Sequence, residues 1–281
     1  MDKRKLVQAL FAFTTNAHVQ GFLKGSIYKG KLKNACVPGL NCYSCPGALG
    51  ACPIGAMQAV EGSTGYGISM YVSGFLVFTG IMLGRLVCGW LCPFGWIQEL
   101  LHKIPSWKCK VPKKVNQLLI LLKYVILMIF VILLPIVTAD QFGLSTPFFC
   151  KYICPAGTLE GGLPLLLMNK PLRSTIGFLF TWKAGILIVV IVSSILIFRP
   201  FCRYLCPLGA FYSLFNSISF YQYSVEKAKC LKCGICAKVC KMDITTYRNP
   251  NSPECIRCGE CIKACPAKAI EAAFKIKSLY H

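Results

Sequence analysis

The sequence predicts a mainly α-helical membrane protein with about four transmembrane helices and a small C-terminal α+β domain. Three observations lead to this prediction: 55% of the 281 residues are hydrophobic, the mean hydropathy is +0.57, and long apolar runs give way to a polar C-terminal region. We therefore divide the chain into an N-terminal span with a cysteine-rich loop (1–65), a transmembrane domain (66–220) and a soluble C-terminal domain (221–281).

The transmembrane helices are predicted from apolar runs, since about 20 apolar residues cross the hydrocarbon core of a bilayer. Three runs are long enough: Tyr66–Val87, Val115–Thr138 and Ser174–Phe198. A fourth run, Leu6–Leu23, is interrupted by polar residues and follows a basic start without a signal-peptide cleavage site. We expect it to be a retained anchor or first span.

The N-terminal loop contains four cysteines around a C-x-x-C core, and two of them are followed by proline. They are Cys36, Cys42, Cys45 and Cys52. Four thiols at these spacings can bind an iron–sulfur cluster alone, or they can share ligands with Cys150 and Cys154 of the transmembrane domain. Since we expect this loop outside the cytoplasm, disulfide bonds are the alternative.

The transmembrane domain repeats the pattern C-x-x-x-C-P-x-G three times, beginning at Cys88, Cys150 and Cys202. Residues four apart share one face of a helix, so each copy presents two thiols side by side, which is half of a four-thiolate cluster site. The proline disfavours helical backbone at the second cysteine, and the glycine permits a close backbone approach. The alternatives are close packing at a helix-breaking proline and acylation of the cysteines. The second cysteines of the copies are Cys92, Cys154 and Cys206.

The distribution of Lys and Arg predicts the orientation, because cytoplasmic loops carry an excess of basic residues. The loop 88–114 and the segment after the last span, which includes Arg199, are basic. An even number of spans then puts both termini in the cytoplasm, in a multi-pass protein of the cytoplasmic membrane. The copies at Cys88 and Cys202 would meet on the cytoplasmic face and supply four thiols for one cluster. The copy at Cys150 would lie on the opposite face with the N-terminal loop.

The C-terminal domain contains the run C-x2-C-x2-C-x3-C twice, from Cys230 and from Cys255. This spacing is typical of bacterial-type ferredoxins with two [4Fe–4S] clusters, in which the fourth cysteine of each run ligates the other cluster. Tetrahedral zinc instead favours separated C-x2-C pairs. We expect one cluster on Cys230, Cys233, Cys236 and Cys265, and the other on Cys240, Cys255, Cys258 and Cys261.

The basic composition does not indicate nucleic acid as a partner, although 31 Lys and Arg face 10 Asp and Glu and the formal net charge is +21. The basic residues lie largely beside the predicted spans. A four-thiolate cluster also carries a charge of about −2, which a count of neutral thiols omits. A membrane b-type cytochrome is excluded as well, because it needs paired histidines inside its spans and the three histidines do not provide them.

Few charged residues lie inside the predicted spans, which argues against a transporter. Arg85 and Lys123 are near the ends of their spans, where we expect them to snorkel towards water. Lys183 lies deeper in the last span. It is therefore either a functional residue or an interfacial anchor beside Trp182.

This cysteine layout resembles the polyferredoxin-like [4Fe–4S] membrane proteins related to the NapH and NosR electron-transfer components of nitrate and nitrous oxide respiration. The resemblance covers residues 66–281, and its matching residues are the copies at Cys88 and Cys202 and the eight cysteines of the C-terminal domain. The copy at Cys150 and the cysteine-rich N-terminal loop depart from that pattern. The resemblance implies multi-span membrane electron transfer, often linked to quinol oxidation.

The sequence thus predicts an integral membrane iron–sulfur protein that transfers electrons. They would pass between the two C-terminal clusters, one or two further clusters at the membrane edge, and a quinone or an extracytoplasmic redox partner. Such a protein could be a quinol dehydrogenase or an oxidoreductase subunit. The alternative is a membrane factor whose clusters serve regulation or the assembly of a metal centre.

Overall fold

Two long apolar helices dominate the structure. The computed structural model describes residues 3–60, 70–109, 111–138, 146–174 and 176–274. Within these ranges, two helices are long and apolar enough to cross a membrane: Lys113–Val137, with a mean hydropathy of 2.9, and Phe178–Leu196, with a mean hydropathy of 2.2. Each coincides with one of the predicted apolar runs.

The first predicted span is divided in the structure. The run Leu6–Leu23 forms two helices, Lys3–Thr15 and Val19–Lys24. The side-chain amide of Asn16 donates to the carbonyl of Ala12 at 3.0 Å, and such side-chain-to-backbone bonds compete with continued helix. Neither helix is long enough to cross a bilayer by itself, so in the structure this run is not one of the candidate spans.

The second predicted span begins in residues 61–69, which lie outside the described ranges. Its described part is the helix Met70–Leu83, which is too short to meet the length criterion for a span. The helix stops at Gly84, whose φ of 54° is the left-handed conformation that commonly ends helices. The described part of the chain thus contains two candidate spans. The prediction of about four transmembrane helices is not confirmed.

Shorter helices surround the two candidate spans, and several of them begin at a proline. In chain order the helices are α1 (Lys3–Thr15), α2 (Val19–Lys24), α3 (Pro53–Val60), α4 (Met70–Leu83), α5 (Leu86–Trp90), α6 (Pro93–His102), α7 (Lys113–Val137), α8 (Leu163–Met168), α9 (Lys170–Arg173), α10 (Phe178–Leu196), α11 (Pro200–Tyr204), α12 (Pro207–Phe215), α13 (Ile235–Lys238) and α14 (Glu260–Lys263). Helix α7 includes the π-helical segment Leu127–Leu133, and Phe149–Ile153 and Gly157–Gly162 are further π-helical turns.

One apolar core joins the long helices to the short helices that carry the cysteine motifs. Helix α10 packs on α6, and α12 packs on both α4 and α7. Leu76 of α4, Phe94 of α6, Val131 of α7 and Phe201 of α11 are buried in this core. Burial of each such side chain contributes about 1.5–3 kcal/mol to the stability of the folded protein. The cysteine motifs therefore lie in a tightly packed part of the molecule.

The C-terminal domain is closed by a small antiparallel sheet. Its strands, β1 (Tyr221–Val225) and β2 (Ile270–Phe274), pair along their full length and enclose the two cysteine runs in sequence. Helices α13 and α14 follow Gly234 and Gly259, whose φ values are 73° and 82°. Only glycine adopts this conformation without strain, so both runs turn into a short helix in the same way.

Candidate metal centres

The first and third copies of C-x-x-x-C-P-x-G have the same local structure. In each, the first cysteine lies on a short helix (α5 or α11), and the second is the extended residue that caps the next helix (α6 or α12). The proline occupies the first turn, where its missing N–H costs no hydrogen bond. The glycine N–H donates to the capping sulfur, at 3.4 Å from Gly95 to Cys92 and 3.3 Å from Gly209 to Cys206. A backbone hydrogen bond thus holds the second thiol.

These two copies pack against each other, and their four thiols are all buried. We call them the repeat set: Cys88, Cys92, Cys202 and Cys206. Burial, and then negative charge on the other three thiols, would raise the pKa of Cys206, which shows that the four side chains are close together. The side-chain amide of Gln98 donates to Cys202 Sγ at 3.1 Å. The structure therefore brings together the four residues that the sequence predicts as one site.

Two buried arginines connect the copies reciprocally. Arg85 stands three residues before Cys88, and its Nη2 donates to the carbonyl of Cys202 at 3.2 Å. Arg199 stands three residues before Cys202, and its Nη1 donates to the carbonyl of Cys88. Pro147 takes the equivalent position in the second copy. Both arginine side chains are fully buried, so the prediction that Arg85 snorkels is wrong: its partner is the other copy, not water.

Glu99 balances the charge on one side of the repeat set. Its carboxylate pairs with Arg4 and with Arg199, at 2.7 Å in each case. Burial by itself would raise the pKa of Glu99, but the two guanidinium groups hold that pKa below its usual value. Burial also raises the pKa of the Cys202 thiol, and there the nearby arginines do not reverse the effect. A metal that binds there must displace the thiol proton.

Glu254 of the C-terminal domain balances the charge on the other side. Its carboxylate pairs with Arg85 at 2.8 Å and with Lys123 at 2.5 Å. Lys123 is fully buried although it belongs to α7, so the prediction that it snorkels is also wrong. The physical reason is similar: a carboxylate from a distant part of the chain, only 13% exposed, replaces water as the partner of the cation.

The C-terminal domain docks directly on the helix that carries Cys88. A Cβ added at Gly89 would overlap the carbonyl oxygen of Ile256. The indole Nε1 of Trp90 donates to the carbonyl of Arg257 at 2.9 Å. Since Ile256 and Arg257 belong to the second cysteine run, that run contacts the repeat set at backbone level.

The eight cysteines of the C-terminal domain form two groups, each around its own small pocket. Each group combines three cysteines of one run with the fourth cysteine of the other run, as the spacing predicts. The proximal tail set, beside the repeat set, consists of Cys240, Cys255, Cys258 and Cys261. The distal tail set consists of Cys230, Cys233, Cys236 and Cys265.

Most of the remaining candidate cysteines surround a cavity of about 590 Å³. Those that line it are Cys36, Cys42, Cys52, Cys150 and Cys154. The thiol of Cys45 instead donates to Asn16 Oδ1 at 3.5 Å, and Cys109 is exposed. In the described part of the chain every cysteine is a free thiol. The second copy of the repeat thus meets the N-terminal loop, as the sequence predicts.

Lys183 also lines this cavity. Its Nζ donates to the carbonyl of Cys150 at 3.1 Å, while the neighbouring indole of Trp182 donates to the carbonyl of Tyr152 at 3.1 Å. The sequence left open whether Lys183 is a functional residue or an interfacial anchor. In the structure its ammonium group lies beside the cysteines of the second copy.

The N-terminal loop reaches the repeat set as well. A Cβ added at Gly39 would lie 3.1 Å from Cys92 Cα, and the hydroxyl of Tyr212 donates to the carbonyl of Pro38 at 3.0 Å. Since consecutive Cα atoms are 3.8 Å apart, Cys42 lies within roughly 16 Å of Cys92. The hydrocarbon core is about 30 Å thick. The loop and the repeat set are therefore closer together than that thickness, and their placement on opposite membrane faces stays a prediction.

Sequence reasoning missed the role of Tyr212 and of the arginines. Tyr212 is fully buried, and it lies within electrostatic range of Cys88 in the repeat set and of Cys52 in the loop. Nothing in the sequence around Tyr212 indicates this position. The arginines did leave a signal, because Arg85 and Arg199 precede the first cysteine of their copies by the same three residues.

The chemistry of the donor sets fits clusters better than single ions. Among the described residues, no group of three or more His, Cys, Asp or Glu side chains is close enough to hold one metal ion. A zinc ion draws its sulfur ligands to about 2.3 Å from a single point, whereas a cubane cluster takes one thiolate at each of four separate corners. The four buried cysteines of the repeat set suit the second arrangement.

Comparison with known proteins identifies the class. A family profile described as a 4Fe-4S binding domain matches residues 64–112, 123–167 and 178–220, and a second profile with this description matches residues 251–271. No solved structure matches the chain. The chain is thus an iron–sulfur protein with [4Fe–4S] binding domains.

The relatives identify the family. The chain is 33% identical to the uncharacterized protein MJ0750 of Methanocaldococcus jannaschii, over 66% of this chain and 69% of that protein. It is 28% identical to the regulatory protein NosR of Pseudomonas aeruginosa, over 58% of this chain and 21% of NosR. It is 26% identical to the putative electron transport protein YccM of Escherichia coli, over 69% of this chain and 54% of YccM. The chain belongs to the NapH/NosR-like family of iron–sulfur electron-transport proteins, and the resemblance is confirmed.

Proposed function

We propose that the chain is an integral membrane protein that relays electrons between its C-terminal domain and a partner at the far end of the membrane domain. The tail sets would each hold a [4Fe–4S] cluster, and the repeat set would hold a third. The regions 1–65, 66–220 and 221–281 would be the N-terminal, transmembrane and soluble parts. The docking of the second cysteine run on α5, through Gly89 and Ile256, carries the proposal.

The repeat set is well suited to hold a cluster. Its thiols are buried, two of them accept backbone hydrogen bonds, and Arg85 and Arg199 lie beside them without exposure to water. A four-thiolate [4Fe–4S] cluster carries a charge of about −2 when oxidised and transfers single electrons. The role of the two arginines is to offset that charge in a place where water cannot.

The chain itself fixes the distances between the sets. Trp90 and Arg257 hold the C-terminal domain to the first copy by a 2.9 Å hydrogen bond, and Glu254 holds it to Arg85. Because electron tunnelling weakens steeply with distance, such a fixed contact favours transfer between the proximal tail set and the repeat set. The distal tail set includes the exposed Cys233, which suits it to meet a soluble partner.

Membrane integration is supported by the two long apolar helices, α7 and α10. We propose a multi-pass protein of the cytoplasmic membrane with both termini in the cytoplasm. Its partner at the other end would be a quinone or an extracytoplasmic redox protein, which would make the chain a quinol dehydrogenase or an oxidoreductase subunit. Cysteine labelling in intact cells, after iron has been chelated, should then leave Cys233 unlabelled from outside.

Electron flow through sealed proteoliposomes tests the proposed function. The native protein, purified and loaded without oxygen, should carry electrons from dithionite outside the vesicles to ferricyanide inside, faster than empty vesicles do. The Cys206→Ser variant should lose this flow and keep its C-terminal clusters. Flow that is equal in the native protein and the variant would contradict the proposed relay.

The second candidate function is regulation, since one relative carries the printed name regulatory protein NosR. In that case the clusters would serve regulation or the assembly of a metal centre and would not conduct electrons. The protein would then load with iron and be reduced once by dithionite, but it would not sustain electron flow in the same vesicles.

A further inference from the structure

We infer that Cys42, Cys52, Cys150 and Cys154 form a further [4Fe–4S] site, which we call the loop set. The inference rests on the proposed function in one respect, because it takes an iron–sulfur cluster as the ligand. It adds to that function the choice of four cysteines among the six candidates and a site at the opposite end of the relay from the C-terminal domain.

Three of the four thiols of the loop set lie close to the Cβ positions of two glycines. A Cβ added at Gly157 would lie 3.7 Å from Cys42 Sγ and 4.0 Å from Cys154 Sγ. A Cβ added at Gly55 would lie 3.7 Å from Cys150 Sγ. The missing side chains thus leave open space at the point where the sulfurs approach each other. A bound cluster needs such space at its corners.

The same local motif is present on both sides of the site. Cys52 begins the sequence C-P-x-G, which ends at Gly55, and Cys154 begins the same sequence, which ends at Gly157. In each case the glycine N–H donates a hydrogen bond to the cysteine sulfur. Gly95 and Gly209 make the equivalent bonds in the repeat set. Cys52 therefore supplies a fourth copy of the half-motif, which lacks only the preceding cysteine.

Cys42 takes the place of that missing cysteine. Its thiol lies within electrostatic range of Cys52, and both Cys150 and Cys154 lie within electrostatic range of Cys42 and Cys52. The backbone N–H of Cys42 donates to Glu160 Oε2 at 2.7 Å, which fixes the loop at this point. Four mutually close thiols on three separate segments match the requirement of a cubane cluster.

The other two loop cysteines are not suited as ligands. The thiol of Cys45 donates to Asn16 and does not line the cavity. Cys36 lines the cavity, but the thiols beside the Cβ positions of Gly55 and Gly157 are those of Cys42, Cys150 and Cys154. Both can therefore serve as matched controls, since they lie in the same loop and differ from the proposed ligands only in position.

The loop set has a cation beside it as well as the Glu160 carboxylate, and it is accessible from the cavity. Lys183 Nζ would be 3.8 Å from a Cβ at Gly157, so one cation faces the centre of the site. The cavity of about 590 Å³ leaves room beside the thiols, and the half-exposed Tyr43 and Tyr71 lie at its wall. The loop set is thus open where the repeat set is closed, and a redox partner could approach it.

The inference is tested by measuring iron and acid-labile sulfide in the full-length protein after it has been reconstituted without oxygen. The Cys52→Ser and Cys154→Ser variants should each lose about four iron atoms per chain, as one [4Fe–4S] cluster requires. The double variant should lose no more than either single variant. The Cys36→Ser and Cys45→Ser controls should keep the native iron content. The EPR signals of the reduced C-terminal clusters serve as the measure of correct folding.

Three results would overturn the inference: native iron in Cys52→Ser, loss of iron in Cys45→Ser or Cys36→Ser, and a disulfide or a zinc ion found at these cysteines. Its failure is distinguishable from a failure of the proposed function. If the native protein holds the tail and repeat clusters and sustains electron flow, but the Cys52→Ser and Cys154→Ser variants lose no iron, the proposed relay stands and this site does not. If Cys206→Ser also loses no iron, the proposed relay fails.

Discussion

The repeat set and the loop set are built from the same half-motif but differ in their surroundings. In both, a glycine N–H bonds to a cysteine that precedes a proline. The repeat set is enclosed by two fully buried arginines and their carboxylate partners. The loop set borders a cavity of about 590 Å³ and has Lys183 beside it.

Under the proposed function, this difference suits the two sets to different positions in the relay. A closed site with balanced charges holds its potential steady and is shielded from solutes, which suits an intermediate position. An open site can exchange electrons with a partner, which suits an end position. Tyr212 lies within electrostatic range of both sets, so its ring is the side chain best placed between them. The three predictions that follow change one of these surroundings at a time.

The largest effect is expected from the charge network of the repeat set. Glu254→Gln would leave Arg85 and Lys123 buried without a carboxylate. Breaking a buried ion pair in this way costs about 3–5 kcal/mol. We expect the C-terminal domain to unfold or undock at a clearly lower temperature, measured by thermal unfolding and by limited proteolysis of residues 216–220.

Glu226→Gln is the matched control for this prediction. Glu226 pairs with Lys229 on the surface of the same domain, and both side chains are about half exposed. Exposed pairs contribute about 0–1 kcal/mol, so the control should melt close to the native protein. Equal effects of the two substitutions would show that the charges around the repeat set are no more important than surface charges.

A smaller effect is expected from a wedge at the docking contact. Gly89→Ala would place a methyl group against the carbonyl of Ile256, and a backbone atom cannot move away cheaply. The distance between the tail and the repeat set should grow, and electron flow in proteoliposomes should fall several-fold while the iron content stays native. Gly185→Ala on α10 is the control, since no atom lies within 4 Å of its Cβ position. Unchanged flow in Gly89→Ala would mean that this contact does not limit transfer.

The smallest effect is expected at the loop set. Lys183→Met removes a cation that favours the more negative, reduced state of a nearby cluster. One midpoint potential should fall by tens of millivolts in a redox titration followed by EPR, and the others should stay constant. Lys151→Met, at an exposed position in the same region, should leave all potentials unchanged. A shift in a potential assigned to the tail sets would place Lys183 outside the loop set.

The sequence predicts local features of the sites well, because ligand spacing is a local property. The crossed grouping of Cys240 with the second run and of Cys265 with the first follows from the spacing, and the structure has the same grouping. The pairing of Cys88 and Cys92 with the third copy follows from the repeat. Cluster ligation by these residues stays a prediction until iron is measured.

Long-range features could not be read in the same way. The sequence alone predicts that Arg85 and Lys123 snorkel towards water, because their partner Glu254 is far away in the sequence. The expected topology relied on four spans, but Asn16 ends the first helix early. The half-motif at Cys52 was visible in the sequence, yet without a cysteine four residues earlier it does not resemble the other three copies.

The central claim is that two distant cysteine pairs form one site between the C-terminal domain and the rest of the membrane domain. Iron counted in Cys92→Ser, Cys206→Ser and the double variant tests it most directly. Because a site that lacks one ligand seldom holds its metal, we predict that each single variant loses about four iron atoms per chain, and that the double variant loses no more. Native iron in both single variants, or losses that add in the double variant, would contradict the claim.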